Sequence, residues 1–302
     1  DQFSNIIATI PATNPSHKHL LINTHMDVPE YNPNVAYTKY DDIIQADWTN
    51  ILWCDPKSWL ACILFLAHLC TKDSHPHHGI DFVITRWEEA WLIGAKHLDF
   101  NLIKAQYWLV IDEDWPCSNI VSKAPWYAKV DITFAWQTAH ARDREQWKNI
   151  SYTLWKFLTE LKQWEILAWV TCNAWIINWW TARNSVAWTW SIAIELRSFD
   201  MDKLNKWIEK VIHLAQQINN DNEIVDITSP SSIEFGSYEI NKENPLFHHL
   251  QTTFHLLWYE PNIYPTFGWS DANIFNDNKI PTVAVWSAYY NAHQYNEYVN
   301  LQ

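Results

Sequence analysis

The chain has 302 residues, 48% hydrophobic and 18% charged, which excludes a collagen-like or disordered chain and leaves room for one large domain or two medium ones. A formal net charge of −13 argues against a nucleic-acid binder, which would show a basic patch or stripe, and suits sites that hold cations.

The first third alternates strand and helix signals. Leu20–Thr24 is a short apolar run that gives way to polar His25 and Asp27, the pattern of a buried strand at its carboxyl end. Lys57–Thr71 is apolar at helical spacing. Asp81–Thr85 reads as a strand, Glu88–Leu98 as a helix and Tyr107–Ile111 as a further strand. Strands alternating with helices predict a mostly parallel α/β sheet, whose sites form at the carboxyl ends of its strands. The middle of the chain changes character. Lys129–Ala135 and Ser191–Arg197 alternate as half-buried strands, and Glu145–Leu161 and Met201–Asn219 are amphipathic helices. This predicts a compact α+β unit inserted into the first domain, with the polar stretch Thr228–Ser237 as the return linker. From Asn244 the α/β character resumes with a helix to about Tyr259 and a strand at Thr282–Trp286. The expected boundaries are 1–121, 122–237 and 238–302. The chain opens at Asp1 in the middle of a plausible segment, so an N-terminal part is expected to precede it.

Cysteines 54, 62, 70, 117 and 172 are odd in number and lack CxxC spacing, which reads as reduced thiols in a reducing compartment. No run of 18 apolar residues and no signal-peptide pattern occurs, so no membrane contact and a cytoplasmic location are expected.

Polar residues collect at the predicted strand ends. His25 and Asp27 are two apart and share one face of an extended segment, so one can ligate a metal while the other holds its imidazole. Asp55 precedes a helix, Glu88-Glu89 follows the strand Asp81–Thr85, Asp112 ends Tyr107–Ile111, and His293 follows Thr282–Trp286. Two histidines and three carboxylates suit a pair of divalent ions, with zinc first and manganese or cobalt as alternatives. One carboxylate is left over as a base. The tract His75-Pro76-His77-His78 reads as a surface loop. Glu297, four residues after His293, is equally a partner behind the ligands or a solvated residue.

In order and context these segments resemble the M20 metallopeptidases, particularly the peptidase T-like tripeptidase branch. THMDVP (Thr24–Pro29), CDPKSW (Cys54–Trp59), RWEEAWLIGA (Arg86–Ala95) and VIDEDWP (Val110–Pro116) are similar to the family's metal-site motifs. TAHARDREQWKN (Thr138–Asn149), NWWTARNSV (Asn178–Val186) and IELRSFD (Ile194–Asp200) are similar to segments of its lid domain. FGWSDANIF (Phe267–Phe275) and NAHQYNEYV (Asn291–Val299) resemble its last two motifs. The resemblance implies a zinc-exopeptidase-like catalytic domain with an inserted, ferredoxin-like lid through which two copies pair. It implies His25, Asp55, Glu89, Asp112 and His293 as ligands, with Asp55 bridging the ions, Glu88 as general base and Asp27 orienting His25. It implies substrate contacts from His140, Asn184, Arg197, Gly268 and Ser270, with Arg197 at a carboxylate. The implied substrate is a short peptide cut at its N-terminal bond; a dipeptidase, carboxypeptidase or N-acyl-amino-acid deacylase activity would use the same ligands. A cis peptide follows the bridging aspartate in the family, and here Pro56 makes a cis bond inexpensive.

One feature of the composition departs from this pattern. The chain has 4 Gly and 22 Trp, where about 21 Gly would be ordinary. Trp48, Trp53, Trp59, Trp91, Trp115, Trp136, Trp175, Trp179, Trp180, Trp269 and Trp286 stand where the family has glycine. A gene whose UGA codons are read as glycine by its host, but written with tryptophan at UGA, would have this composition.

Overall fold

A computed structural model describes residues 1–72, 76–113, 118–136, 140, 142, 150–179, 186–222, 226–286 and 289–301. In chain order the elements are β1 (Ile6–Ile10), β2 (His19–His25), β3 (Tyr37–Tyr40), β4 (Ile43–Ala46), α1 (Cys54–Lys72), β5 (Gly79–Thr85), α2 (Ile93–Lys96), β6 (Tyr107–Glu113) and β7 (Asn119–Ala124). Next come β8 (Trp126–Ala135), α3 (Ser151–Glu160), β9 (Trp164–Leu167), β10 (Val170–Trp179), β11 (Thr189–Ser198), α4 (Met201–Asn222), β12 (Asp226–Thr228) and β13 (Ser231–Phe235). The chain closes with β14 (Tyr238–Glu239), α5 (Pro245–Leu256), β15 (Asn262–Pro265), α6 (Asp271–Asp277), β16 (Thr282–Trp286), β17 (Tyr289–Tyr290) and β18 (Tyr298–Asn300). Two compact units result: Asp1–Ala124 with Tyr238–Gln302, and Pro125–Ser237.

The first unit is built on a sheet of order β1-β5-β2-β6-β16-β7-β14, with β15 beside β7. Its four central strands, β5, β2, β6 and β16, are parallel. All seven residues of β5 are buried, as are Leu21 to His25 of β2, which is why these strands read as continuous apolar runs rather than alternating ones. A second sheet, β17-β18-β4-β3, carries the C-terminal turn. Among the described residues no helix is long and apolar enough to cross a membrane.

The inserted unit has one antiparallel sheet of order β12-β8-β11-β10-β9, covered by α3 and α4. Setting aside the edge strand β9, the order of elements is βαββαβ with the first and third strands adjacent, the ferredoxin-like arrangement. Its core takes every second residue of β8 (Ala128, Val130, Ile132, Phe134) and β11 (Trp190, Ile192, Ile194, Leu196). From α4 it takes Leu204, Ile208, Val211, Ala215 and Ile218 at helical spacing.

Two local expectations change, and a third reaches beyond the described residues. The segment expected as a helix from Glu88 to Leu98 is a turn followed by the four-residue α2. Trp87, Trp91 and Leu92 have φ of 57°, 66° and 59°, which a right-handed helix does not contain. The stretch expected as a linker, Thr228–Ser237, contains β13, whose backbone pairs with β8 while Phe235 stacks on Tyr127 at 5.1 Å. The helix expected from Glu145 is described from Ser151, and residues 143–149 lie outside the described set.

Candidate metal centre

The candidate residues meet where strands β2, β5 and β6 end. His25 is the last residue of β2 and is 1% exposed. Its Nε2 lies 2.9 Å from Asp55 Oδ1 and 3.4 Å from Asp112 Oδ1, and its Nδ1 lies 3.5 Å from Asp27 Oδ1. Asp27 has a second task. Its two carboxylate oxygens accept the backbone N–H groups of Glu88 and Glu89 at 3.0 and 3.1 Å, so the side chain beside the imidazole also holds the turn that carries both glutamates. Asp55 enters α1 in a non-helical conformation, and the Asp55–Pro56 bond is cis, as the proline suggested. Its Oδ2 lies 3.2 Å from His293 Nε2, which in turn lies 3.0 Å from Glu89 Oε1.

Asp55 is therefore flanked on its two oxygens by two histidines. Ligand atoms of His25, Asp55 and Asp112 lie within 4.8 Å of one another, and so do those of Asp55, Glu89 and His293. The two groups share Asp55. Among the described residues, the ion pairs of these carboxylates run to His25 and His293 and to no lysine or arginine. Buried carboxylates held together without a permanent cation repel one another. Oxygen and imidazole donors in two groups with a shared aspartate fit a pair of divalent cations.

The electrostatics carry the same strain. Burial pushes the Glu88 carboxyl well above its ordinary value, and the charges of Asp112, Glu89 and Asp271 add to it. Burial takes Asp112 up to about 7 against the opposing pull of His25. Burial also works on Asp55, yet hydrogen bonds from His25 and His293 hold it below its ordinary value. Burial would lower His293, but Asp55 and Glu89 raise it to about 10.

The model of peptidase family M28 matches residues 5–112. The curated protein described as uncharacterized protein YqjE, from Bacillus subtilis (strain 168), is 25% identical over 303 residues, covering 99% of this chain and 80% of its own length. The crystal structure of aminopeptidase PepT from Bacillus cereus ATCC 10987 is 26% identical with a TM-score of 0.78, over 98% of this chain and 80% of that one. A tripeptidase from Staphylococcus aureus subsp. aureus Mu50 is 26% identical with a TM-score of 0.85, over 98% and 79%. The chain is a metallopeptidase of the M20/M28-type fold.

The remaining candidates of the metallopeptidase fall in three places. Ser270 caps α6: its side chain accepts from Ala272 N, and its own N–H donates to Asn273 Oδ1 at 3.2 Å. Gly268 donates its N–H to Thr266 Oγ1 at 2.9 Å. Both therefore belong to the turn that opens α6. His140 and Arg197 belong to the inserted unit. His140 is exposed and its Nδ1 accepts from Arg142 N at 3.2 Å. Arg197 forms a two-pronged pair with Glu195, Nε to Oε1 at 3.1 Å and Nη2 to Oε2 at 3.0 Å. Asn184 lies outside the described residues.

Of the other buried carboxylates, Asp271 and Glu297 lie in the first unit beside the candidate residues. Asp271, the first residue of α6, is 1% exposed and accepts from Asn23 Nδ2 at 3.1 Å and from the Thr85 hydroxyl, tying β2 and β5 together behind His25. Its signal was Asn23, an amide inside the apolar run Leu20–Thr24. Glu297 is buried against the loop before Asp55.

Proposed function

We propose that this chain is a di-metal exopeptidase that hydrolyses the N-terminal peptide bond of short peptides. The observation that carries the reading is Asp55, set between His25 and His293, with the buried Glu88 on the turn beside them. His25 and Asp112 would hold one ion, Glu89 and His293 the other, and Asp55 would bridge them. Two divalent cations there, zinc before manganese or cobalt, would polarise the scissile carbonyl and lower the pKa of a water. Glu88 takes a proton from the attacking water and returns it to the leaving amine. Its raised pKa suits this task, since a base works best with a pKa near the operating pH. Asp27 keeps His25 in one tautomer and holds Glu88 and Glu89 by their backbone.

His140, Asn184 and Arg197 would contact the substrate from the inserted unit, which would also pair two copies. The fork of Arg197 suits a carboxylate. Since Glu195 already engages that fork, a substrate carboxylate would share or replace this contact. Gly268 and Ser270 would shape the substrate side of the turn before α6. Similarity to a tripeptidase and an aminopeptidase at 26% identity favours N-terminal cleavage. The test is an assay of the metal-loaded protein on tripeptides, dipeptides and N-acyl amino acids. Release of the N-terminal residue from tripeptides at the highest kcat/KM is expected. Preference for acylated amino acids or C-terminal release would replace this reading with another M20 activity.

A further inference from the structure

The turn between β17 and β18 carries His293 and, four residues on, Glu297, whose side chain is buried. Glu297 Oε2 accepts the backbone N–H groups of Leu52 and Trp53 at 2.7 and 2.9 Å, and Oε1 accepts that of Asp55 at 3.0 Å. The backbone of Glu297 is itself fixed, accepting from Ala46 N at 2.9 Å and donating to Gln294 O at 3.0 Å. Three N–H groups of one short loop thus converge on one carboxylate, an anion-holding concavity occupied by the protein's own side chain. The loop needs such a hold, because Asp55 has φ −82° and ψ 110°, outside the helical region. We propose that Glu297 is a positioning residue for the metal centre: it pins the Leu52–Asp55 backbone so that the Asp55 carboxylate stays between His25 and His293. One turn then supplies a ligand on one side of Asp55 and a backbone clamp on the other.

This rests on the reading of Asp55 as the bridging ligand. The test is titration of zinc into metal-free wild type and Glu297→Gln, followed by calorimetry, with kcat and KM measured at low and saturating zinc. Glutamine keeps the size but turns an amide N–H toward a backbone N–H. Zinc affinity is expected to fall by about 10–100-fold. The kcat should fall at low zinc and recover at saturating zinc, with KM little changed. Should the glutamine variant fail to fold, Glu297→Asp, too short to reach all three N–H groups, is expected to show the same loss. A wild type that binds two ions beside a variant that binds them as tightly, losing only thermal stability, overturns this proposal alone. A wild type that binds none overturns the ligand reading and this proposal with it.

Among the described residues, thirteen that are not glycine have positive φ, and seven of these are Trp48, Trp53, Trp87, Trp91, Trp164, Trp169 and Trp258, at φ between 57° and 73°. Trp has a 22-in-302 share of the chain, which would place about one among thirteen. A bulky residue at positive φ is a steric outlier, whereas glycine takes that conformation freely. Burial does not offset the strain, since Trp258 is 96% exposed and Trp164 76%. Tryptophans with ordinary backbone behave differently: Trp108 and Trp190 lie buried inside β6 and β11. Only Trp48, Trp53 and Trp91 of the seven fall at family glycine positions noted from the motifs, so the backbone adds four more. We infer that the protein made by its host carries glycine at these seven positions, the UGA codon being read as glycine. Peptide mass spectra of the protein from its host are expected to show glycine at 48, 164 and 258; tryptophan there overturns the inference. Of two recombinant sets, glycine at the seven positions is expected to raise Tm and glycine at Trp108 and Trp190 to lower it. A fall in Tm for the first set contradicts the backbone argument.

Discussion

The inserted unit buries Val130, Ile132 and Phe134 of β8 against Leu204, Val211 and Ala215 of α4, while the first unit buries His25, Asp55, Glu88, Asp271 and Glu297 where its strands end. Apolar burial favours the folded state by itself, at about 25 cal/mol per Å². Buried carboxylates do so only when a cation or enough hydrogen-bond donors compensate them. Packing alone makes the core of the inserted unit, whereas the first unit adds to its own apolar core a cluster of charged groups that responds to pH and, on the proposed function, to bound cations.

Substitutions can separate the two. Glu88→Gln is expected to lower kcat by about 10²–10⁴, or about 3–5 kcal/mol of transition-state stabilisation, with metal content unchanged. Steady-state kinetics with metal analysis checks this, and loss of metal would make Glu88 a ligand instead of a base. Phe134→Ala, in the packed core of the inserted unit, should cost about 3–5 kcal/mol in denaturant unfolding and leave the metal content of the first unit intact. Asp27→Asn should cost about 10–100-fold in metal affinity or activity, because it loses one acceptor for the Glu88–Glu89 turn and the partner of His25 Nδ1.

The smallest effect is on pH dependence. His293 is raised from 6.5 to about 10 in the metal-free site, so its contribution to stability is fully present below pH 6.5 and is lost as pH rises toward 10. Asp112, raised to about 7, acts in the same direction, because its protonated form is the one the folded state favours. The Tm of metal-free protein should therefore fall from pH 6 to pH 10. Metal held by the proposed ligands would need both groups deprotonated and should flatten that slope. A flat profile without metal would mean that these groups do not titrate in the folded chain.

Much of this was readable in the residues, for physical reasons. Leu21–Thr24 and Asp81–Thr85 are buried on both faces and Tyr107–Ile111 is buried on one face and half-buried on the other, and their apolar continuity marks the parallel core. His25, Asp55, Glu88 and Asp112 interrupt apolar context at strand ends, so their chemistry stood out. The segment after Glu88 misled, because helical periodicity says nothing of the positive φ at Trp87, Trp91 and Leu92. β13 was hidden because its outward residues are polar and its pairing partner β8 is about a hundred residues away. Glu297 was ambiguous because sequence spacing cannot distinguish a solvated turn from a carboxylate enclosed by three N–H groups.

Elemental analysis of the purified protein after equilibration with zinc decides whether Asp55 joins two cations. Two divalent ions per chain are expected for the wild type and one or none for Asp55→Asn. Two ions retained in Asp55→Asn, or none in the wild type, would rule out Asp55 as a shared ligand.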